Sequence, residues 1–368
     1  MAQSKSRTGV LLVNLGTPDS PKVPDVRKYL REFLSDPRVV DYPAALRWPL
    51  VNLIIAPFRA PKSAKEYVKL WTENGSPLLY YGQRNRDQLR ERLPEDEYVV
   101  ELAMRYQTPS VRKGLKALQD KKVNKIIVIP LFPQYASATT GSVAQEVMDI
   151  VREWQIIPTL EIVEQFHQHP LYLKAWAENG KKLLEQGNYE HVVFSYHGVP
   201  ESQIKKASVD DYCQLGKCCN SYHKKNQFCY RAQCYENTRN IARLLDLPED
   251  QYTVCFQSRL GPVPWIRPYA DEVVEDLAKQ GYKRVLAFSP AFVSDCLETT
   301  LEVGEEYKEL FEEHGGEQWD LVPCLNDDTT WVDCLEDIVR RGGRIRTVAE
   351  EGLDAAQPRN PVQAAANQ

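Results

Sequence analysis

The sequence lacks the features that mark membrane, secreted and nucleic-acid-binding proteins. Its apolar runs all fall short of the ~20 residues that a membrane span needs, and the start, MAQSKSRTGVLLVNLG, has too short an apolar run for a signal peptide. A net charge of −5 and a pI near 5.8 leave no broad basic field, and no dense run of Lys and Arg is interleaved with aromatic residues. We therefore expect a cytoplasmic protein that does not bind nucleic acid.

The composition indicates a globular protein with reduced thiols. The 368 residues, 43% of them hydrophobic, are enough to bury two cores of ordinary size, so the length predicts two domains. Thiols in the cytoplasm are normally reduced. The nine cysteines, five of which lie between Cys213 and Cys234, therefore indicate metal binding or thiol chemistry more than disulfides.

Short β-rich runs alternate with amphipathic stretches along the chain, which predicts βα units around parallel sheets. The runs are nearly continuous in apolar residues, as expected for strands that are covered on both faces. The predicted strands are 9–13, 99–103, 125–129, 160–163, 191–194, 252–256 and 284–288.

Two segments of the chain superpose after a shift of 160 residues, which predicts a duplicated half. Pro130 falls on Pro290, and Glu146 falls on Glu306. The end of the chain is rich in Ala, Asn, Gln and Pro without apolar periodicity, which predicts disorder. The predicted boundaries are a first domain at 1–160, a second at 161–345 and a disordered tail at 346–368.

Three glutamates spaced four residues apart, Glu298, Glu302 and Glu306, follow the predicted strand 284–288. On an α-helix this spacing places the three carboxylates within an arc of about 80°. Stacked carboxylates raise at least one pKa and can pass protons along, so they predict a path for protons or for a hard cation. The alternative is a solvated face on a helix that Asp295 caps, with Glu298 completing a capping box.

His197 lies directly after a predicted strand, in the segment SYHGVP, where Gly198 and Pro200 turn the chain. Among the six histidines it is the best placed for acid–base chemistry, although a lone histidine in a loop is more often a surface or capping residue. If His197 and Glu298 follow strands of one sheet, their side chains can face each other across a cleft.

The clustered cysteines follow the pattern C-x4-C-C-x9-C-x4-C. They are Cys213, Cys218, Cys219, Cys229 and Cys234. The pattern lacks the paired C-x2-C knuckles of a zinc ribbon, and five thiols exceed the four that zinc or a [2Fe–2S] cluster needs. The residues alone leave three alternatives open, an iron–sulfur cluster, a zinc site, and free or disulfide-bonded thiols.

Eight segments resemble motifs of the ferrochelatase family, in the family's order. They are LLVNLGTPD, RAPK followed by Tyr67, GSP, MRY, PQY, SYHGVP, FQSRLGPVPW and SPAFVSDCLET. The resemblance spans roughly residues 7 to 340. It implies an α/β fold of two similar doubly wound, Rossmann-like parallel-sheet domains with a porphyrin cleft between them. It also implies a lyase that inserts Fe2+ into protoporphyrin IX to form protohaem.

The resemblance implies roles for single residues. His197 and Glu298 match the facing catalytic pair that handles the protons and the substrate Fe2+, and Glu302 and Glu306 match the acidic path that leads away from this pair. A second group matches positions that line the porphyrin cleft or lie near it: Leu15, Arg105, Tyr106, Tyr135 and Trp265. A third group matches the cleft mouth, where the family holds the porphyrin propionates: Arg59, Lys62, Tyr67 and Ser76. Cys296 and Leu15 depart from residues found in some relatives, so no role is implied for Cys296 and no metal entry past Leu15.

Two further features take their meaning from the resemblance. The apolar stretch 42–58 is either a buried helix or part of a lip of the cleft at about 42–62, which would permit peripheral contact with a membrane. Some family members carry a [2Fe–2S] cluster with internal ligands, so four of the five cysteines in the insertion at about 208–236 are expected to bind one, with Cys213, Cys229 and Cys234 indispensable. Two alternatives stay open, a coproporphyrin III ferrochelatase and a non-catalytic protein that binds a metal or a tetrapyrrole.

Overall fold

The protein folds around two parallel β-sheets of four strands each. The structure is a computed structural model and describes residues 7–259, 261 and 263–352. The strand order is β2-β1-β3-β4 in the first sheet and β6-β5-β7-β8 in the second. The strands are β1 (Thr8–Gly16), β2 (Tyr98–Tyr106), β3 (Lys125–Pro130), β4 (Thr159–Ile162), β5 (His191–His197), β6 (Tyr252–Gln257), β7 (Arg284–Phe288) and β8 (Gln318–Leu321).

The helices flank both sheets. The α-helices are α1 (Val23–Ser35), α2 (Ala44–Pro49), α3 (Ala56–Leu70), α4 (Pro77–Arg92), α5 (Val111–Asp120), α6 (Ser142–Val151), α7 (Pro170–Gln186), α8 (Glu201–Lys206), α9 (Tyr230–Leu244), α10 (Ala270–Lys279), α11 (Tyr307–Glu313), α12 (Thr329–Arg340) and α13 (Val348–Glu351). Three π-helices are π1 (Leu50–Ile55), π2 (Ser137–Gly141) and π3 (Leu297–Glu306), and short 3₁₀ turns lie at Val209–Asp211, Cys218–Asn220 and Glu249–Gln251.

The two sheets repeat one design. In each, the first strand in chain order lies between the second and the third, and the fourth strand forms an edge. A π-helix follows the third strand in both halves, π2 after β3 and π3 after β7. The predicted α/β fold of two similar parallel sheets is therefore confirmed, with the repeat visible in the topology as well as in the shift of 160 residues.

Burial explains why the strands could be predicted. Val10, Leu11, Leu12 and Val13 of β1 are all completely buried, as a strand covered by helices on both faces requires. The short edge strand β8 was missed because its four residues, QWDL, do not form an apolar run.

The chain end returns to the first half of the protein. Helix α12 packs against α7 and α4, and the Lys125 ammonium donates to the Gly342 carbonyl at 2.7 Å. Arg346 and Val348 are buried, and the Val348 amide donates to the Gln168 carbonyl at 3.1 Å. The predicted disorder at 346–368 is therefore wrong for 346–352, while 353–368 lies outside the described residues. The domain boundaries at 160 and 345 stay predictions.

Candidate active site

His197 is the last residue of β5, and its ring is held in one tautomer. The Nδ1 atom lies 2.6 Å from the carbonyl oxygen of Gly198. A carbonyl can only accept a hydrogen bond, so Nδ1 carries the proton when the imidazole is neutral, and Nε2 keeps its lone pair. The structure therefore leaves Nε2 as the basic atom of His197.

The chain around His197 is fixed on two sides. The Gly198 amide donates to the Gln257 carbonyl at 2.7 Å, and a Cβ atom at Gly198 would lie 2.9 Å from that oxygen, so only glycine fits this close approach. The Tyr230 hydroxyl of α9 donates to the His197 carbonyl at 2.8 Å. The rings of Trp265 and Phe292 each lie 6.4 Å from the imidazole, which gives His197 aromatic neighbours.

Gln257 joins His197 to Glu298. It pairs in register with His197 across β5 and β6, and its Nε2 donates to the Glu298 carbonyl at 2.7 Å. Its Oε1 accepts from the Ser195 hydroxyl at 2.7 Å. Gln257 therefore links the end of β5 to the start of π3, and the meeting of the His197 and Glu298 side chains stays a prediction.

The Glu298 carboxylate lies where the two halves meet. Burial together with the charge of Glu298 raises the pKa of the neighbouring Cys296 thiol well above its usual range. From the first half, Tyr29 and Tyr67 approach with their rings 6.3 Å apart, and burial and the same charge raise the pKa of both phenols. Glu298 therefore has neighbours from both sheets.

The acidic column lies on π3. A π-helix has more residues per turn than an α-helix. Residues four apart are therefore separated by slightly less than one turn, and the three glutamates still share a face. The cap differs from the expectation, because Cys296 and Thr299 form the capping box where Asp295 and Glu298 were expected.

Glu302 is held by four hydrogen-bond donors. Its Oε1 accepts from the Ser258 amide at 3.0 Å and from the Tyr307 hydroxyl at 3.1 Å, and its Oε2 accepts from the Gln257 amide at 3.1 Å and the Ser258 hydroxyl at 2.5 Å. Ser258 has φ of +59°, a left-handed conformation that costs a non-glycine residue free energy and clusters at functional sites. Donors on both oxygens fix the position of the Glu302 carboxylate.

Glu306 is exposed at the far end of the column. Partial burial, followed by the charges of Glu302 and Glu66, raises the pKa of its carboxyl, while Lys62 acts in the opposite direction. One carboxyl with a raised pKa is what the stacked glutamates predicted. The path for protons or metal along the column stays a prediction.

Arg105 and the buried Tyr106 meet in a polar knot around Asp36. The Arg105 guanidinium, the Tyr106 hydroxyl and the Ser142 hydroxyl all donate to one oxygen of Asp36, at 2.9, 2.9 and 2.5 Å. Tyr106 is 1% exposed, with its ring against Phe33 at 5.2 Å. The Tyr106 hydroxyl is thus used within the protein, and a role for Tyr106 beside the porphyrin stays a prediction.

The other expected cleft residues are closer to the surface. Tyr135 is half-buried, and its amide donates to the Gln233 side chain of α9 at 2.7 Å. Trp265 is also half-buried and lies beside His197. Leu15 packs with Tyr106 and Leu297, at the contact between the halves. Among these three, Tyr135 and Trp265 have ring surface available to a ligand.

The residues expected at the cleft mouth do not share one surface. Arg59 and Lys62 are exposed on α3, whereas Tyr67 and Ser76 are buried. Tyr67 lies near Glu298, as described above, and the Ser76 hydroxyl is buried without a hydrogen-bond partner. Arg59 and Lys62 are therefore the pair that can meet carboxylates in solvent.

The apolar stretch 42–58 is exposed, which decides against the buried-helix alternative. Trp48 is 61% exposed and Phe58 is 78% exposed. Large apolar side chains on α2, π1 and the start of α3 share this surface, here named the apolar lip: Leu46, Trp48, Leu53, Ile54 and Phe58. In the described part of the chain, every helix is too short or too polar to cross a membrane.

Four of the five clustered thiols lie close enough to shift one another's pKa. Burial, followed by the neighbouring Cys218, raises the pKa of the Cys213 thiol. Cys229, followed by the Arg231 guanidinium, lowers the pKa of the Cys219 thiol to about 6 although burial opposes this.

Cys234 stands apart from these thiols. It is fully buried within α9, and burial raises the pKa of its thiol well above the usual range although Tyr230 acts in the opposite direction. The donors thus fit an iron–sulfur cluster in kind and number. However, among the described residues no three His, Cys, Asp or Glu side chains are arranged around a common point that could hold a metal ion.

Two residues of the site were missed from the sequence. Gln257 is a polar residue at the end of a buried strand, but its contact with Glu298 depends on how β6 and π3 pack. Asp36 accepts three hydrogen bonds from residues far away in the chain, and no local pattern marks it. Polarity at the end of a buried strand was the available signal for Gln257.

Comparison with known proteins identifies the family. The family model described as Ferrochelatase matches residues 7–342. The chain is 46% identical over 333 residues to a ferrochelatase of Legionella pneumophila (strain Lens), covering 90% of this chain and 98% of that protein. It is 41% identical over 344 residues to one of Coxiella burnetii (strain Dugway 5J108-111), covering 92% and 95%.

Solved structures agree on the fold. SirB from Bacillus subtilis with Fe3+ has a TM-score of 0.51 at 14% identity, covering 94% of this chain and 98% of that one. DR2241 from Deinococcus radiodurans has a TM-score of 0.50 at 10% identity, covering 93% and 56%. The motifs, the match over nearly the whole chain and the close relatives agree, and the chain belongs to the ferrochelatase family, whose members are lyases that act as metal chelatases.

Proposed function

We propose that the protein inserts Fe2+ into protoporphyrin IX and releases two protons. The observation that carries this proposal is the free Nε2 of His197, next to aromatic rings and joined through Gln257 to Glu298. Replacing two pyrrole N–H bonds by bonds to Fe2+ requires a base at the ring centre. His197 meets that need, and Glu298 is the neighbouring carboxylate for the second proton or for the incoming ion.

The surroundings of His197 suit a flat, apolar substrate. Trp265 and Phe292 offer ring surfaces beside the imidazole, and Arg59 and Lys62 offer cations for propionates in solvent. A porphyrin must bend before its nitrogens can take up a metal, and close packing against rigid rings can supply that strain from binding free energy.

A turnover assay tests the proposal. Purified protein is mixed anaerobically with porphyrin and Fe2+ or Zn2+, and loss of the free-porphyrin fluorescence is followed. We expect many turnovers with protoporphyrin IX and slower ones with coproporphyrin III, because the apolar lip suits a substrate with two carboxylates better than one with four. Faster insertion into coproporphyrin III would favour that alternative, and binding without turnover would favour a non-catalytic carrier.

Glu302→Gln should lower both stability and turnover. The side-chain amide nitrogen of the new Gln would face hydrogen-bond donors, where the Glu302 carboxylate accepts four hydrogen bonds. A buried donor left without an acceptor costs about 1–3 kcal/mol. The Gln257 side chain, which also donates to the Glu298 carbonyl, would lose its hydrogen bond to the Glu302 carboxylate. Thermal unfolding and the steady-state turnover number measure the two effects. Glu306→Gln, at an exposed position, is the control, and an equal melting temperature for both variants would contradict the anchoring role.

We further propose that Cys213, Cys218, Cys219 and Cys229 hold a [2Fe–2S] cluster. This set revises the expectation that Cys234 is indispensable, because Cys234 is fully buried inside α9, whereas the other four cysteines precede α9 and lie close enough to shift one another's pKa. When bound, a cluster here would brace the insertion, since inserting Fe2+ into a porphyrin involves no net redox change. Tyr230 follows Cys229 directly and holds the His197 carbonyl, so the braced segment adjoins the catalytic strand.

The cysteine assignment predicts which variants lose colour. Protein purified anaerobically should be reddish brown with about two extra irons per chain. Cys219→Ala should be colourless, whereas Cys234→Ala should keep the visible absorption. Metal analysis and visible spectra measure this. Stoichiometric zinc in a colourless protein would contradict the cluster, and colour lost only in Cys234→Ala would contradict the ligand set.

We also propose that the protein is cytoplasmic and touches the membrane surface through the apolar lip. Basic residues beside the lip on α3 favour an anionic surface; they are Arg59, Lys62, Lys65 and Lys69. Trp48→Ser with Phe58→Ser should abolish flotation with anionic lipid vesicles. Ile156→Ser with Ile157→Ser is the control, because it removes exposed apolar side chains elsewhere. Equal flotation of both double variants would refute the lip as the contact.

A further inference from the structure

A second concave site lies away from His197, between α1 and α6. It is a cavity of about 780 Å³ whose walls include Arg27, Arg31, Glu32, Arg105, Gln107 and Gln145. The buried Asp36 knot forms its floor. Nothing in the proposed chelatase mechanism uses these α1 side chains.

The charges of the cavity are unbalanced. Arg105 is paired with Asp36 at 2.9 Å, and Lys28 with Asp19 at 3.0 Å. Glu32 accepts hydrogen bonds from the amide and the side chain of Gln107. Within the described ranges, Arg27 and Arg31 have no acidic partner. They lie four residues apart on one face of α1, where like charges repel each other.

Two buried polar atoms at the cavity also lack partners. The Arg27 Nε and the Gln107 Oε1 are both buried and make no hydrogen bond. Gln107 is only 6% exposed. Its backbone has φ of +71°, a left-handed conformation that a glutamine adopts only when its surroundings enforce it. Both residues line the cavity, and although these two atoms have almost no accessible surface, rotation of the side chains would present an unpaired donor and an unpaired acceptor to a ligand that carries both kinds of group.

We propose that this cavity binds a small polyanion that also carries a hydroxyl group. Acid oxygens of the ligand accept from the two unpaired guanidinium groups, which suit carboxylate and phosphate geometry. The ligand's hydroxyl donates to the Gln107 Oε1. Hydroxycarboxylates and hydroxylated phosphate monoesters share this chemistry. The site goes beyond the proposed chelatase function, and Asp36 links Arg105 of this cavity to Tyr106.

Calorimetric titration of the full chain at constant ionic strength tests the site. Citrate probes the hydroxycarboxylates, and glycerol 3-phosphate probes the hydroxylated phosphate monoesters. The probe that binds more tightly identifies the class of ligand. Tricarballylate, which is citrate without its hydroxyl, isolates the contact to Gln107. We expect citrate to bind at least tenfold more tightly than tricarballylate. Equal affinity for the two acids would overturn the hydroxyl contact, and no heat from any probe at millimolar concentration would overturn the site.

Matched variants separate this site from general charge attraction. Arg27→Gln with Arg31→Gln should weaken binding at least tenfold. Arg112→Gln with Arg152→Gln removes the same charge from α5 and the end of α6, at exposed arginines beside Glu153 and Asp149, and should leave the affinity unchanged. Equal weakening by both double variants would overturn the proposal. Because binding is measured directly, these results do not depend on whether the protein turns over porphyrin.

Discussion

His197→Ala should reduce metal insertion by at least about 10²-fold, since general acid–base catalysis typically contributes this much. The variant removes the Nε2 lone pair, which the Nδ1 bond to Gly198 leaves as the only basic atom of the ring. A 10²-fold loss corresponds to about 2.7 kcal/mol of transition-state stabilisation. Steady-state insertion of Zn2+ or Fe2+ measures it, and porphyrin binding followed by absorbance should stay nearly normal because Trp265 and Phe292 remain.

His314→Ala is the matched control for that experiment. The His314 Nδ1 also faces a backbone carbonyl, that of Leu310 at 2.9 Å, but the residue follows α11 and lies outside the site. It should keep full activity. Added imidazole should restore part of the turnover of His197→Ala, because the vacated space can admit a free base. Near-normal turnover of His197→Ala without imidazole would rule out the proton role.

Local sequence patterns predicted the strands and which polar residues follow them. The strand β5 with its SYHGVP segment could be read directly, because apolar runs bounded by Gly and Pro depend on nearby residues alone. Parallel strands bring their carboxyl ends to one edge, so His197 and Glu298 could be expected together. That expectation depends only on the order of strands and helices along the chain.

Features set by distant residues could not be predicted. The π-helical form of π3 depends on its packing against α3 and β8, and the sequence of Glu298, Glu302 and Glu306 fits an α-helix equally well. Glu302 was expected as a relay from its spacing, but its four donors come from β6, the turn after it and α11. The exposure of the apolar lip likewise depends on tertiary packing, because α1 and the rest of α3 leave its side chains uncovered. The apolar run alone fits a buried helix equally well.

The same distinction separates the thiols. Five cysteines within 22 positions looked equivalent in the pattern, and Cys234 was ranked above Cys218 because it ended the pattern. The fold places Cys234 inside α9, one helical turn beyond Tyr230, whereas Cys218 and Cys219 lie in a short turn beside Cys213 and Cys229. The spacing identifies the five candidate cysteines. Only the fold shows that Cys234 lies inside a helix and that the others precede it.

Glu298→Gln should reduce metal insertion by about 10²-fold or more while leaving the fold intact. The main chain at this position is held by Gln257, and the capping box of π3 is formed by Cys296 and Thr299, so neither depends on the Glu298 side chain. An amide keeps the shape of the carboxylate but can neither take up a proton nor attract Fe2+. The steady-state insertion rate and the melting temperature together separate loss of chemistry from loss of structure.

Glu305→Gln is the control on the same π-helix, because Glu305 is exposed and lies off the acidic column. It removes one charge, as Glu298→Gln does, and should leave turnover unchanged. Within the acidic column, the Glu298 carboxylate is the one near Cys296, Tyr29 and Tyr67. Glu298→Gln should therefore lower the insertion rate more than Glu306→Gln, which changes the exposed end of the column. If Glu298→Gln, Glu305→Gln and Glu306→Gln all insert metal at the normal rate, the column is a solvated face and His197 works without it.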